Sequence, residues 1–363
     1  MKKSYLMIVA VAAIFAACGQ TDTFKDVDTQ DAVIGFGHSA TEKATRAELD
    51  MTWFRTLDNG FGVYGYKSDA AIFKNENVKC SNASSPYEWS HTTIRFWDKA
   101  ANDAYDFYAY APFTGTNNVV GTNPTFSKST GFTFTGIPVI ADINDNGADK
   151  AVANAVEDID YNDGRLHDAH TNSPTVQFVF NHILSKLSFK IKTDVPAHNA
   201  QTNPTATFTV KKVEIDFPSA TGVQWAETSS DDPAGATTYT EYAVKDGTYD
   251  FTVFEGSQTV TNSAAAMTDA KTFIVTPVNT TVTKHEFEVK VTYDILYADN
   301  TTETGCIATG TIGTGTPNTN TYTPAQNQYY IAVININPEK IEFCVEGVGA
   351  WDPITETDPV DVK

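Results

Sequence analysis

The chain has 363 residues and carries 25 Lys and Arg against 45 Asp and Glu, a formal net charge of -20. That balance lacks the basic footprint that nucleic acid or an anionic membrane surface requires, and it argues against both as partners. The 22 Phe, 16 Tyr and 5 Trp, with abundant Thr, Val and Asn, suit sheet and turn rather than helical bundles, in a length sufficient for about two domains.

At the N terminus, Lys2 and Lys3 precede an apolar run from Tyr5 to Ala17. The run is too short to span a bilayer as a helix, so residues 1–17 are expected to be an export signal. It ends in Phe15-Ala16-Ala17-Cys18-Gly19, which is similar to a bacterial lipobox with Phe15 where Leu is usual. Cys18 is then the acylated residue; the alternative is a plain signal peptide followed by an incidental cysteine. Next, Ala32, Ile34 and Phe36 fall on one face at a period of two, the pattern of a half-buried strand. The polar stretch His38 to Arg46 has no apolar periodicity and reads as an exposed loop. Arg46 in that loop is either an ordinary solvated arginine or the place where a trypsin-like protease cuts, leaving Ala47 as the new terminus.

Beyond this loop, β-patterned segments follow one another: Phe61 to Tyr66, Thr92 to Trp97, and Tyr105 to Ala111, the last stopped by Pro112. In Tyr105 to Ala111, Tyr105, Phe107, Ala109 and Ala111 share one face, with Tyr108 and Tyr110 on the other. Phe132 and Phe134 supply a short strand. Val152, Ala155, Val156 and Ile159 have the i, i+3, i+4, i+7 spacing of a short helix. Apolar parity changes between Asn181 and Ser185, and again at Lys211-Lys212, so the chain bulges or changes sheet at these places. Phe287 to Tyr297 alternates without error, and Tyr329 to Asn337 and Ile341 to Val345 close the series. A second domain is expected to start near Pro174, giving spans of 47–173 and 174–363.

In the final segment, Ile341, Phe343, Val345, Gly347, Gly349 and Trp351 share one parity. Such a strand fills a groove either in its own domain or, by strand addition, in a neighbour. The acidic tail Asp352 to Lys363 has the composition of an unstructured end. Cys80, Cys306 and Cys344 form neither a disulfide framework nor a metal-ligand spacing; they read as buried small hydrophobes, with one disulfide open. Asp142 to Gly147 begins like a calcium loop but has Ala153 where the bidentate Glu belongs. His167 and His170 lack the rest of a zinc motif, and no nucleophile elbow or phosphate-binding glycine loop occurs. No metal, cofactor or catalytic residue is therefore assigned.

Several of these pieces combine: Cys18, Ala44-Thr45-Arg46-Ala47 after a short strand, Tyr105 to Pro112, Phe180-Asn181-His182-Ile183-Leu184-Ser185-Lys186-Leu187-Ser188-Phe189, and Phe273-Ile274-Val275-Thr276-Pro277. Their order and spacing resemble the fimbrillin family, the subunits of type V pili, over nearly the whole chain. The resemblance implies an all-β protein of two transthyretin-like β-sandwich domains in tandem, exported as an outer-membrane lipoprotein precursor and then built into a surface fimbrium. It implies an arginine-specific protease as a partner, cutting at Arg46 to release a propeptide of residues 18–46. The removed strand would carry Ala32, Ile34 and Phe36, and the groove it leaves would take the donor strand of another fimbrial subunit, here Ile341, Phe343, Val345 and Trp351. Removal would also detach the lipid at Cys18; the adhesion receptor, host or bacterial, is left open. The alternatives are a surface lipoprotein binding glycans on Trp53, Trp89, Trp97 and Trp225, and a glycoside hydrolase, for which no motif appears.

Overall fold

A computed structural model describes residues 33–38, 51–56, 58–82, 84, 88–97, 105–114, 122–145, 148, 150–155, 175–178, 180–193, 206–230, 232–242, 247–278, 286–312, 322–336 and 341–351. Among them the fold is all-β, with one helical turn at Met51–Phe54.

The first sheet is antiparallel, in the order Asn181–His182, Ala151–Ala155, Tyr105–Ala111, Gly60–Lys67, Ala70–Asn82, Glu88–Ser90. Its centre is buried on both faces, because the alternation of Tyr105–Ala111 is apolar on both. Tyr105, Phe107, Ala109 and Ala111 enter one core with Phe61, Val63, Phe73 and Val78. Tyr108 and Tyr110 enter a second with Phe132 and Phe134. Close approach at the centre requires glycine: a Cβ on Gly62 would overlap the Tyr110 ring.

Three further sheets build the larger core. One runs Ile341–Ala350, Gln328–Ile336, Ser185–Lys192, Phe273–Val275, Ile140–Asp142, with Ala265–Ala266 beside Ser185–Lys192. A second runs Phe251–Thr259, Thr207–Asp216, Phe287–Leu296, Thr302–Ile312, and a third Asp232–Thr238, Gln224–Ser229, Gly131–Thr135, Thr125–Ser127. Phe189, Leu187 and Ile191 on the first of these meet Val289, Val291 and Phe287 on the second within one cluster.

Both parity changes have the expected causes. Asn181–His182 pairs in the first sheet and Ser185–Lys192 in another, so the chain changes sheet between them. At Lys211-Lys212 a register shift between Val210 and Lys212 marks a bulge. Along Phe287–Leu296 the alternation buries Phe287, Val289 and Val291, but Tyr293 and Ile295 are only half-buried and Tyr297 is exposed, because the strand runs past the edge of the core.

Three expectations need correction. The helix spacing at Val152 and Ala155 lies on a strand, Ala151–Ala155, whose two edges are taken by Tyr105–Ala111 and Asn181–His182. Few apolar positions cannot distinguish a period of 3.6 from one of 2, and hydrogen-bonding neighbours on both sides decide it; Val156 and Ile159 lie outside the described residues. Thr92 to Trp97 is an extended irregular segment with a single bridge, Val33 to Phe96, rather than a strand. Around Pro174 the pairing crosses in both directions: Thr175–Phe178 and Asn181–His182 pair back into the N-terminal part, while Gly131–Thr135 and Ile140–Asp142 pair forward with Gln224–Ser229 and Phe273–Val275. Sequence neighbours need not be sheet neighbours. Cys80 is a buried free thiol, whereas Cys306 is a free thiol only half-buried at an edge strand; Cys344 is described by its backbone alone.

Candidate functional site

The N-terminal strand Gly35–His38 runs parallel to Thr175–Phe178, with Gly35 opposite Thr175 and Phe36 opposite Val176. Parallel pairing means that the two segments are joined through a long intervening chain, so nothing local holds the strand in place. Ile34 and Phe36 are 0% and 2% exposed, whereas Val33 between Ala32 and Ile34 is 43% exposed; Ala32 lies outside the described residues. The Phe36 ring is surrounded by Phe73 at 4.9 Å, His91 at 5.2 Å, Phe107 at 5.6 Å and Phe178 at 6.1 Å between centroids. These are edge-on and stacked contacts of the kind that add to simple burial. The strand thus supplies part of the core of the first sheet.

Its second edge meets the segment Thr92 to Trp97. Ile34 N donates to the Arg95 carbonyl at 2.8 Å, and Val33 and Phe96 form an antiparallel bridge. That segment is pinned at both ends. Trp97 is fully buried against Tyr105 and Phe107, at 4.9 and 5.8 Å. At the other end, the Glu76 carboxylate accepts Thr92 N at 2.7 Å, Thr92 Oγ1 at 2.8 Å and Thr93 N at 2.9 Å on Oε1, and Thr93 Oγ1 at 2.5 Å on Oε2. Between the pins, Arg95 Nε donates to the Ile72 carbonyl at 3.2 Å.

Glu76 is 8% exposed on a strand whose neighbouring core residues are Phe73, Val78 and Cys80. Burial by itself would raise its carboxyl, but the hydrogen bonds from Thr93 and Thr92 outweigh that and hold it below its ordinary value of 4.5. A lowered folded value means that the contact stabilises fully above the ordinary value and that this contribution is lost as pH falls through the lowered one. His91 stands at the same end of the segment, its Nδ1 2.9 Å from the Thr93 carbonyl. The expected result is that Glu76→Gln is less stable than the parent near neutral pH and that the gap narrows below 4.5. Denaturant titrations of both proteins from about pH 7 to about pH 3 measure it.

The C-terminal strand Ile341–Ala350 is an edge strand, paired antiparallel to Gln328–Ile336. Its register places Ile341, Phe343 and Val345 opposite Ile336, Ile334 and Ala332, then slips, so that Val348 and Ala350 stand opposite Tyr330 and Gln328. The shared parity expected from Ile341 to Trp351 is therefore broken by a bulge, which puts Trp351 out of phase with Ile341, Phe343 and Val345. Trp351 is 4% exposed, lies parallel to His182 at 3.7 Å, and has Lys186 Nζ 5.6 Å from its ring centroid. Its backbone N–H donates to the Asn327 carbonyl at 2.9 Å.

Cys18, Arg46 and Ala47 lie outside the described residues, so the structure brings together only Ile34 and Phe36 of the N-terminal set, and the C-terminal strand sits in its own sheet. Sequence reasoning missed Glu76 and the pinned segment. A lone Glu in the polar run Ala70 to Asn82 carries no signal, since its threonine partners come from a different part of the chain. Of the candidate glycan-platform residues, Trp53, Trp97 and Trp225 are 5%, 0% and 1% exposed and Trp89 packs half-buried at 5.5 Å from Phe61. They are core residues, and the expectation of an aromatic platform built on them is overturned. Asp142, which begins the calcium-like stretch, is held by Lys271 Nζ at 2.9 Å and by Asn144 N at 3.0 Å.

A fimbrillin-like family model matches residues 45–348. Comparison with curated proteins finds no match. Among solved structures, a fimbrial protein from Bacteroides vulgatus is 17% identical, covers 88% of this chain and 99% of its own, and superposes with a TM-score of 0.50. A proposed cell adhesion protein from Bacteroides uniformis, also 17% identical, covers 89% and 99% with a TM-score of 0.47.

Proposed function

The chain belongs to the fimbrillin-like family, and from that premise we propose that it is a stalk or tip subunit of a cell-surface fimbria that polymerises by strand exchange after its N-terminal strand is cut away. The observation that carries this reading is the position of Ile34 and Phe36. Two core side chains are supplied by a short strand that precedes Arg46 in the chain and pairs with Thr175–Phe178. Cutting at Arg46 would leave that strand held by non-covalent contacts alone. Its departure would uncover the Phe73, Phe107 and Phe178 rings and two unpaired backbone edges, Thr175–Phe178 and the segment around Arg95. An incoming strand satisfies both costs together.

In this proposal the donor is the C-terminal strand of another subunit. Ile341, Phe343 and Val345 are its apolar knobs, and Trp351 is the residue that keeps it at home beforehand. A head-to-tail contact of this kind does not close on itself and grows into a filament. Export as a lipoprotein acylated at Cys18 would hold the precursor at the outer membrane until the cut, and 363 − 46 = 317 residues remain for assembly. The chain would then form two transthyretin-like sandwiches that exchange strands across Pro174. Adhesion through the assembled fimbria is the role this implies.

Treatment of the purified precursor with an arginine-specific protease tests the reading. The expected products are a single new N terminus at Ala47 and a ladder of oligomers on gel filtration, both absent in Arg46→Ala. A cut protein that stays monomeric when a peptide spanning residues 339–351 is added would rule out strand exchange.

A further inference from the structure

We propose that Glu76 is the positioning residue of the N-terminal strand site: its carboxylate holds Thr92 to Trp97 in place as the second wall, so that strand 33–38 is clasped on both edges. The bearing of this clasp on assembly rests on the strand-exchange reading; the clasp itself does not.

The argument starts from what the segment lacks. Thr92 to Trp97 forms no regular ladder, and Ile94 and Phe96 are 60% and 55% exposed, so apolar burial does not fix its middle. Yet it offers the Arg95 carbonyl to Ile34 N at 2.8 Å. An irregular segment keeps a carbonyl at such a position only when its ends are tied. Trp97 ties one end through the core. Glu76 ties the other with four hydrogen bonds to two consecutive threonines, two to backbone N–H groups and two to hydroxyls. Hydrogen bonds to an ionised carboxylate are roughly twice as strong as neutral ones, and a buried carboxylate that loses them is costly to keep. Glu76 therefore has one favourable arrangement, and that arrangement sets the height of the wall. His91 adds to it from inside, with its ring 5.2 Å from that of Phe36 and 5.9 Å from that of Phe73. Without the clamp, Ile34 would lose its edge partner while the parallel pairing to Thr175–Phe178 remained.

Amide hydrogen exchange on the full-length chain tests this. In Glu76→Ala, peptides covering 33–38 and 91–97 should exchange at least about ten-fold faster, while peptides covering 287–296 and 328–336 keep their parent rates. The paired variant Thr92→Val/Thr93→Val, which keeps the carboxylate and both backbone donors but removes two hydroxyls, should show the same pattern with a smaller change. The proposal is overturned if 33–38 keeps its parent rate while 91–97 accelerates, if all four regions accelerate alike, or if the threonine variant matches the parent. A second arm separates this from the assembly reading. After cleavage at Arg46, gel filtration follows loss of the N-terminal fragment, expected to be faster in Glu76→Ala than in the parent. Should the fragment leave both at equal rates, the clasp does not hold the strand. Should it leave but no peptide spanning 339–351 take its place, strand exchange fails and the exchange rates still decide the role of Glu76.

Discussion

Phe36→Ala in the full-length chain should lower stability by about 3–5 kcal/mol, the range for deleting a buried aromatic ring. The ring is 2% exposed and touches four others. Neighbours on three different strands and a pinned segment cannot all move inward, so a cavity remains and the cost falls toward the upper end of the range. Urea unfolding followed by near-ultraviolet circular dichroism reads the loss as a lower midpoint at nearly unchanged slope. The same substitution separates folding from assembly. In the strand-exchange proposal the cut at Arg46 releases the strand that carries residue 36, so assembled material from parent and variant should be equally stable. A variant that destabilises the assembled form as much as the precursor would mean that the strand stays with the subunit.

The second large effect is expected at the other end of the chain. Trp351→Ala should cost about 3 kcal/mol, the low end of the range for deleting a large buried aromatic residue. Its loss removes a stack on His182, a cation over its ring from Lys186 and the packing that brings its N–H to Asn327. Among the described residues the strand before it is hydrogen-bonded to Gln328–Ile336 alone. Hydrogen exchange across Ile341–Ala350 should rise several-fold in Trp351→Ala and much less in Trp351→Phe, which keeps a ring over His182. In the strand-exchange proposal the Ala variant should also oligomerise sooner after cleavage. Slower oligomerisation would mean that Trp351 acts in the acceptor rather than as the residue that restrains the donor.

Much of the fold could be read from periodicity. The pattern of Tyr105 to Ala111 marked a strand and divided its residues between two faces; the structure buries both, one with Phe61 and Val63 and the other with Phe132 and Phe134. The parity change near Asn181 marked a bulge or a change of sheet, because a one-residue slip flips every side chain, and the structure makes it a change of sheet. Periodicity failed where partners decide the outcome. Ala151–Ala155 is a strand because two edges await it, and Thr92 to Trp97 is not one because its hydrogen bonds go to Glu76 and Ile34.

From its own order of residues, the chain determined an all-β protein, an N-terminal segment with Ile34 and Phe36 on one face, and a C-terminal strand of alternating apolar residues. These are local properties, set by side-chain period and composition. The tertiary structure alone decided that Gly35–His38 pairs in parallel with a strand far along the chain, that a buried glutamate fixes its other edge, and that a bulge puts Trp351 out of phase with Ile341, Phe343 and Val345. Each of these depends on backbone donors and acceptors brought together across long stretches of sequence, and a hydrogen bond between distant residues leaves no period to read.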